Sequence, residues 1–173
     1  MTSARRRGKP LQGAPAAMLG ATLLIAASAA AWMGGIAAVA ATTTEWIVTN
    51  PRTGLAIDGF DPVSYFIDEA AMAGRAEFEF RYRGAVWRFR NPGNQAAFID
   101  HPADYEPRFG GYDAVAIGRG VPTPGNPQIW LIAGKNLYLF YSLETRDEFR
   151  SDPRRQATQA DAKWPDVAKV LSQ

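Results

Sequence analysis

The sequence predicts an α+β fold: one compact domain with two β-hairpins and several short helices, preceded by an N-terminal hydrophobic export segment. Three observations carry this reading. Polar and aromatic residues alternate strictly over residues 77–82, the two-residue period of a half-buried strand. Two further apolar runs, residues 129–133 and 137–141, flank Gly134-Lys135, which is the layout of a second hairpin. No charged residue stands between Pro10 and Thr44, directly after Arg5, Arg6, Arg7 and Lys9.

A basic start, an apolar middle and a small-residue end describe an export signal. Ala38-Val39-Ala40 supplies the small-x-small end, so residues 1–40 are expected to be a signal peptide and residues 41–173 the mature domain. The alternative is an uncleaved anchor formed by residues 16–41, long enough at about 1.5 Å per residue to cross a hydrocarbon core of about 30 Å. The alanine-rich composition favours cleavage, since alanine buries little apolar area. Sec and twin-arginine export both fit the basic region. Either way the domain is expected outside the cytoplasm, periplasmic if released and held at the inner membrane if not.

From Ala41 onward the chain carries 15 basic and 17 acidic residues, a net charge of −2. That removes the compositional basis for nucleic-acid binding. Membrane contact is expected only through an uncleaved N-terminal segment. The chain has no cysteine and one histidine, His101. Thiol nucleophiles, redox dithiols and cysteine or histidine metal clusters are therefore excluded.

The elements follow in order. Residues 46–48 and 54–57 read as short strands. Asp61-Pro62 opens a short helix, with Asp61 as cap, Pro62 at the first helical position and Val63, Phe66 and Ile67 on one face. In the first hairpin Arg83-Gly84 makes the turn. Phe80 should then face Trp87 and stack on it, Phe78 should face Phe89, Glu79 should face Arg88 and Glu77 should face Arg90. Asn91-Pro92 caps a helix running to about Asp100 with Phe98 inward, and His101-Pro102 stops it. Tyr105 and Phe109 are expected to pack nearby. Residues 112–117 read as a buried helix and residues 122–127 as an exposed loop. After the second hairpin come a short helix marked by Leu143 and Phe149, a helical run with Ala157, Ala160 and Trp164, and a last turn restarted by Pro165. The sequence displays no internal repeat.

Tyr82, Gly84, Trp87, Phe89, Gly93, Phe98, Pro102 and Tyr105 stand in the order and spacing of a YHS domain, which this stretch resembles. The flanks Ile57-Asp58-Gly59-Phe60-Asp61-Pro62, Gly110-Gly111-Tyr112 and Ala160-Asp161-Ala162-Lys163-Trp164-Pro165 resemble the exported single-domain branch of that family. Nearly all of the mature segment is covered. The resemblance implies a compact α+β fold, and in other members a soft-metal or thiol role. Here the Tyr-His-Ser triplet is replaced by Phe78-Glu79-Phe80, the cysteines after the aromatic strand by Arg90 and Asn94, and the cysteine or selenocysteine after Gly-Gly-Tyr by Asp113. The inherited metal or redox role is thus not expected, and no cofactor is assigned.

Candidate ligand-binding residues are Asp113, its neighbour Tyr112, and Asp58 and Asp61. A carboxylate standing where a reactive thiol stands elsewhere could hold a hard cation or a polar ligand; as an alternative, Asp113 is a helix cap, and Asp58 and Asp61 serve turns and caps. His101 reads as a surface residue rather than a general base. Tyr65, Tyr112, Trp130 and Tyr138 could line a pocket, although core packing is the plainer role. No paired acid/base motif identifies an enzyme. The sequence favours a non-catalytic extracytoplasmic binding module for a small ligand or an envelope protein over a carboxylate-based enzyme or hard-metal protein centred on Asp113.

Overall fold

The structure, a computed structural model, describes residues 46–172; the expected export segment lies outside them. Alternating aromatic and charged side chains make β1 (Arg75–Tyr82) and β2 (Ala85–Phe89) an antiparallel pair. Both turn residues, Arg83 and Gly84, are left-handed with φ 48° and 81°, the geometry that matches the twist of a two-residue hairpin. Phe80 pairs with Trp87 and Glu79 with Arg88 as the alternation predicts. The Arg88 Nε donates to Glu79 at 2.7 Å.

Beyond Glu79 the expected register fails. A bulge between Arg75 and Glu79 sets Phe89 opposite Arg75 rather than Phe78. It also leaves Arg90 to pair with Asp68 at 3.0 Å instead of Glu77. Residues 76–78 of β1 stand opposite no residue of β2, and such an insertion shifts every pair beyond it. The Phe80 and Trp87 rings do not stack on each other: Phe80 lies over Tyr82, and Trp87 packs on Phe98 with centroids 5.0 Å apart.

Helix α1 (Ser64–Ile67) precedes the hairpin, and α2 (Pro92–Asp100) and α3 (Pro102–Tyr105) follow it. Asn91 caps α2, accepting from the Asn94 amide at 2.8 Å, and the His101-Pro102 step divides α2 from α3 as expected. The α1 helix is only one turn long and starts after Pro62. Its buried positions are Ser64 and Tyr65, so Ile67, expected inward, is 61% exposed.

The second half repeats this plan. Helix α4 (Ala114–Gly118) is followed by strands β3 (Asn126–Ala133) and β4 (Asn136–Phe140). Helices α5 (Leu143–Ser151) and α6 (Pro153–Leu171) complete it. The residues expected to form an exposed loop end in β3, with Gly125 and Pro127 buried. Pro165 does not restart a turn; α6 runs straight through it. A proline removes one helix hydrogen bond, and the buried Val167 and Ala168 beyond it hold the helix on course.

An internal repeat is present after all. Strand β3 lies 51 positions after β1, β4 after β2, α5 after α2, and Pro153 after Pro102. Even the bulge recurs, between Asn126 and Trp130, and the second turn, Gly134-Lys135, is again left-handed at both residues. Ahead of each α1-type helix stands a 3₁₀ turn (Ile57–Gly59 and Arg108–Gly111) with left-handed residues at 57, 58, 59 and at 109, 110, 111. Gly74 and Gly125 are equivalent as well. A Cβ on Gly74 would fall 2.5 Å from the Arg88 Cβ, and one on Gly125 2.7 Å from the Leu139 Cβ. Each half therefore threads a bare backbone past its own hairpin.

Each half has its own core. Phe98 is packed by Tyr82, Trp87 and Phe89, and its counterpart Phe149 by Tyr138 and Phe140. The halves meet through the second sheet. One face of β3–β4, with Trp130, Ile132, Leu137 and Leu139, covers the first core; the other, with Leu131, Tyr138 and Phe140, belongs to the second. Strand β4 is accordingly buried over four consecutive residues, whereas β2 alternates. Among the described residues no helix is long and apolar enough to cross a membrane.

Candidate functional site

Asp113 is fully buried. It caps α4, Oδ1 accepting from the amides of Val115 at 2.8 Å and Ala116 at 3.1 Å. Its Oδ2 accepts from the Tyr141 amide at 2.8 Å and the Thr145 hydroxyl at 2.5 Å. One carboxylate thus ties the start of α4 to the end of the second hairpin and the start of α5. Asp61, also fully buried, ties the equivalent segments of the first half, but it does not cap α1 as expected, because the helix starts two residues later with Val63 at its N-cap. It accepts from the Val63 amide at 2.9 Å, the Arg90 amide at 2.8 Å and the Asn94 side chain at 2.6 Å.

These oxygens are engaged by donors that already satisfy a buried charge. Asp61 and Asp113 occupy equivalent positions in different halves and do not converge on one site. Asp58 is exposed and accepts from the Asn50 side chain at 2.9 Å. Tyr112 is buried, its ring centroid 6.3 Å from that of Trp164. His101 is exposed between α2 and α3. Among the described residues no group of three or more His, Cys, Asp or Glu side chains comes together to hold a metal ion.

A sizeable opening lies elsewhere. A cleft of about 870 Å³ runs between α1, α3 and β3. Four aromatic side chains line it: Tyr65 and Phe66 from α1, Tyr105 from the end of α3, and Trp130 from β3. Tyr65 meets Trp130 edge to face at 5.3 Å, and Phe66 meets Tyr105 in the same way at 5.5 Å. The Tyr65 hydroxyl donates to the Pro127 carbonyl at 2.9 Å, which fixes the ring against β3. Burial, and secondarily the Asp61 carboxylate, holds this phenol protonated well above the ordinary tyrosine range. It therefore acts as a donor and a wall, not as a base. The charged groups Glu69, Asp104 and Lys135 also line the cleft.

A second cleft, of about 410 Å³, contains Trp46, Trp164, Arg83, Glu106 and Arg108. Arg83 pairs with Glu106 at 3.1 Å, and Arg108 pairs with Asp161. Glu106 Oε2 and Arg108 Nε are buried without a hydrogen-bond partner among the described residues. Burial raises the Glu106 carboxyl above its usual range, against the pull of Arg83 and Arg108.

No protein-family model, no curated protein and no solved structure matches this chain. The geometry alone must speak for the site.

Of the four pocket aromatics considered from sequence, Tyr65 and Trp130 line the large cleft, while Tyr112 and Tyr138 lie in the second core. Phe66, Glu69, Asp104, Tyr105 and Lys135 carry no spacing signal. They come from three segments that meet only in the folded chain. The repeat singles out Asp104 and Tyr105 among them, because α3 stops at Tyr105 while its counterpart α6 runs on to Leu171.

Proposed function

We propose that this chain is an exported, non-catalytic binding protein of the YHS-like kind, with its ligand seated in the cleft between α1, α3 and β3. The observation that carries this is the cleft itself. It joins the two halves, has the size usual for a small-molecule site, and is walled by four aromatic rings. The residues standing at the family's reactive positions support the same reading. Asp113 is committed to capping α4. The Arg90 amide and the Asn94 side chain both bind Asp61, and the Arg90 guanidinium pairs with Asp68. A net charge of −2 from Ala41 onward argues against a nucleic-acid partner, and the export-type N-terminus argues for a periplasmic setting.

The test is to purify the protein natively from the exported fraction of its producing cells, sequence its N-terminus, and release its small molecules by denaturation for mass spectrometry. The expected result is a chain starting at Ala41 that retains a small organic molecule, and a Tyr105→Ala variant that loses it. Retention of the same molecule by Tyr105→Ala would remove the cleft from the account.

A further inference from the structure

We infer that the cleft takes an organic cation, an apolar ring or chain bearing an ammonium group; this rests on the binding reading just given. The argument begins with charge. Glu69 follows α1, Asp104 lies on α3, and Lys135 sits at the tip of the second hairpin. All three are exposed, and none is ion-paired among the described residues. The cleft therefore carries two carboxylates against one ammonium.

The aromatic walls add to the same sign. The face of an aromatic ring carries negative potential, and a cation within about 6 Å of a ring centroid is attracted to it. Phe66, Tyr105 and Trp130 are half-buried at the cleft, held by two edge-to-face contacts, Phe66 with Tyr105 and Trp130 with the fully buried Tyr65 behind it.

The competing occupants fare worse on the same observations. An anion would meet two carboxylates and the negative faces of the rings, with Lys135 alone to hold it. A neutral apolar molecule would gain the rings but would draw water away from Glu69 and Asp104 without compensation. A bare metal ion needs several converging oxygens, and among the described residues no such group forms. A cleft of about 870 Å³ is also far larger than an ion requires.

Three naphthyl probes sharing one ring system separate these cases: (1-naphthylmethyl)trimethylammonium, 1-naphthalenemethanol and 1-naphthalenesulfonate. Each is titrated into the full-length protein by calorimetry at low and at physiological salt. The cation should bind at least about tenfold more tightly than the alcohol, and the sulfonate should bind weakest. Asp104→Asn and Glu69→Gln should each weaken the cation by roughly twofold to fivefold, and Lys135→Gln should strengthen it by a similar factor. Added salt should weaken the cation and leave the alcohol unmoved. Because these three side chains are exposed, the variants should melt like the parent.

Binding of the alcohol or the sulfonate as tight as that of the cation would overturn the inference and leave the cleft as a binding site for another class of ligand. Cation binding that ignores all three charge substitutions would also overturn it. Failure of all three probes, together with no retained molecule in the exported protein, would remove both the inference and the binding function.

Discussion

The two halves of the domain share a backbone plan and differ in what they do with it. Each has a left-handed 3₁₀ turn, a buried aspartate, a short helix, a bulged hairpin and a capped nine-residue helix in the same order. Asp61 and Asp113 accept from equivalent positions, Val63/Val115, Arg90/Tyr141 and Asn94/Thr145, with one further bond to Asp113 from the Ala116 amide. A feature present twice belongs to the scaffold. The halves part in two places. The outer face of the first hairpin is charged, with Glu79, Arg81 and Arg88, whereas the equivalent Trp130, Ile132 and Leu139 are apolar and cover the first core. After the second proline the first half stops in one turn at Tyr105, while the second continues as α6. The cleft lies beside both differences. The lesson is that Asp113, the sharpest candidate in the sequence, belongs to the shared plan, while the cleft proposed as the binding site lies at the asymmetric surface.

The largest expected effect breaks the symmetry of the hairpins. Leu139→Ala, at a fully buried position, should cost about 2–5 kcal/mol in a urea melt. The equivalent Arg88→Ala removes a surface ion pair and should cost about 1 kcal/mol or less. Equal losses would mean that the second sheet does not cover the first core.

The next effect preserves the symmetry. Asp61→Ala and Asp113→Ala each strand buried donors and remove a tie between segments, so each should cost about 2–4 kcal/mol. The two values should agree within about 1 kcal/mol. If Asp113→Ala were nearly neutral while Asp61→Ala was severe, the reading of Asp113 as a staple would fail.

Much of this plan was legible in the sequence, and the misses have physical causes. The strands of both hairpins follow from alternation and from short apolar runs, and the cap at Asn91 from residue type. The register past Glu79 was hidden because a bulge leaves the alternation of side chains in β1 largely intact while shifting its partner. The repeat was hidden because few identities survive: Gly59/Gly111, Asp61/Asp113, Val63/Val115, Gly74/Gly125, Phe89/Phe140, Phe98/Phe149 and Pro102/Pro153. The polarity of the outer hairpin faces was exchanged around them. Pro165 reads as a break because local rules ignore the packing of Trp164 on Phe109 and the burial of Val167. The cleft has no local signature, since Tyr65 and Tyr105 lie far apart in the chain and Trp130 reaches them only by the docking of the halves.

The smallest effect concerns pH and a contact unique to the first half's hairpin turn. Glu106, with its side chain 14% exposed, has its carboxyl raised by burial against the pull of Arg83 and Arg108. Its neutral form is therefore favoured in the folded state more than in the unfolded chain. Stability from this group is fully present below the unfolded pKa and is lost as pH rises through the raised folded value. Glu106→Gln should melt at the same or a slightly higher temperature than the parent near neutral pH. It should also flatten the fall in stability just above the ordinary glutamate range. A clear drop in melting temperature at neutral pH would show that the Arg83 ion pair outweighs the burial of the charge.

The most direct test of the central claim uses the four tryptophans of the domain as reporters. Each indole N–H gives a separate proton–nitrogen NMR signal, and the four lie in different places: Trp130 in the large cleft, Trp46 and Trp164 at the second cleft, and Trp87 in the first core with its N–H bonded to the Tyr82 carbonyl. Titration of the exported protein with (1-naphthylmethyl)trimethylammonium should move the Trp130 signal by a saturable amount and leave Trp87, Trp46 and Trp164 in place. Saturable movement of Trp164 or Trp46 with Trp130 unmoved would place the site elsewhere and contradict the account.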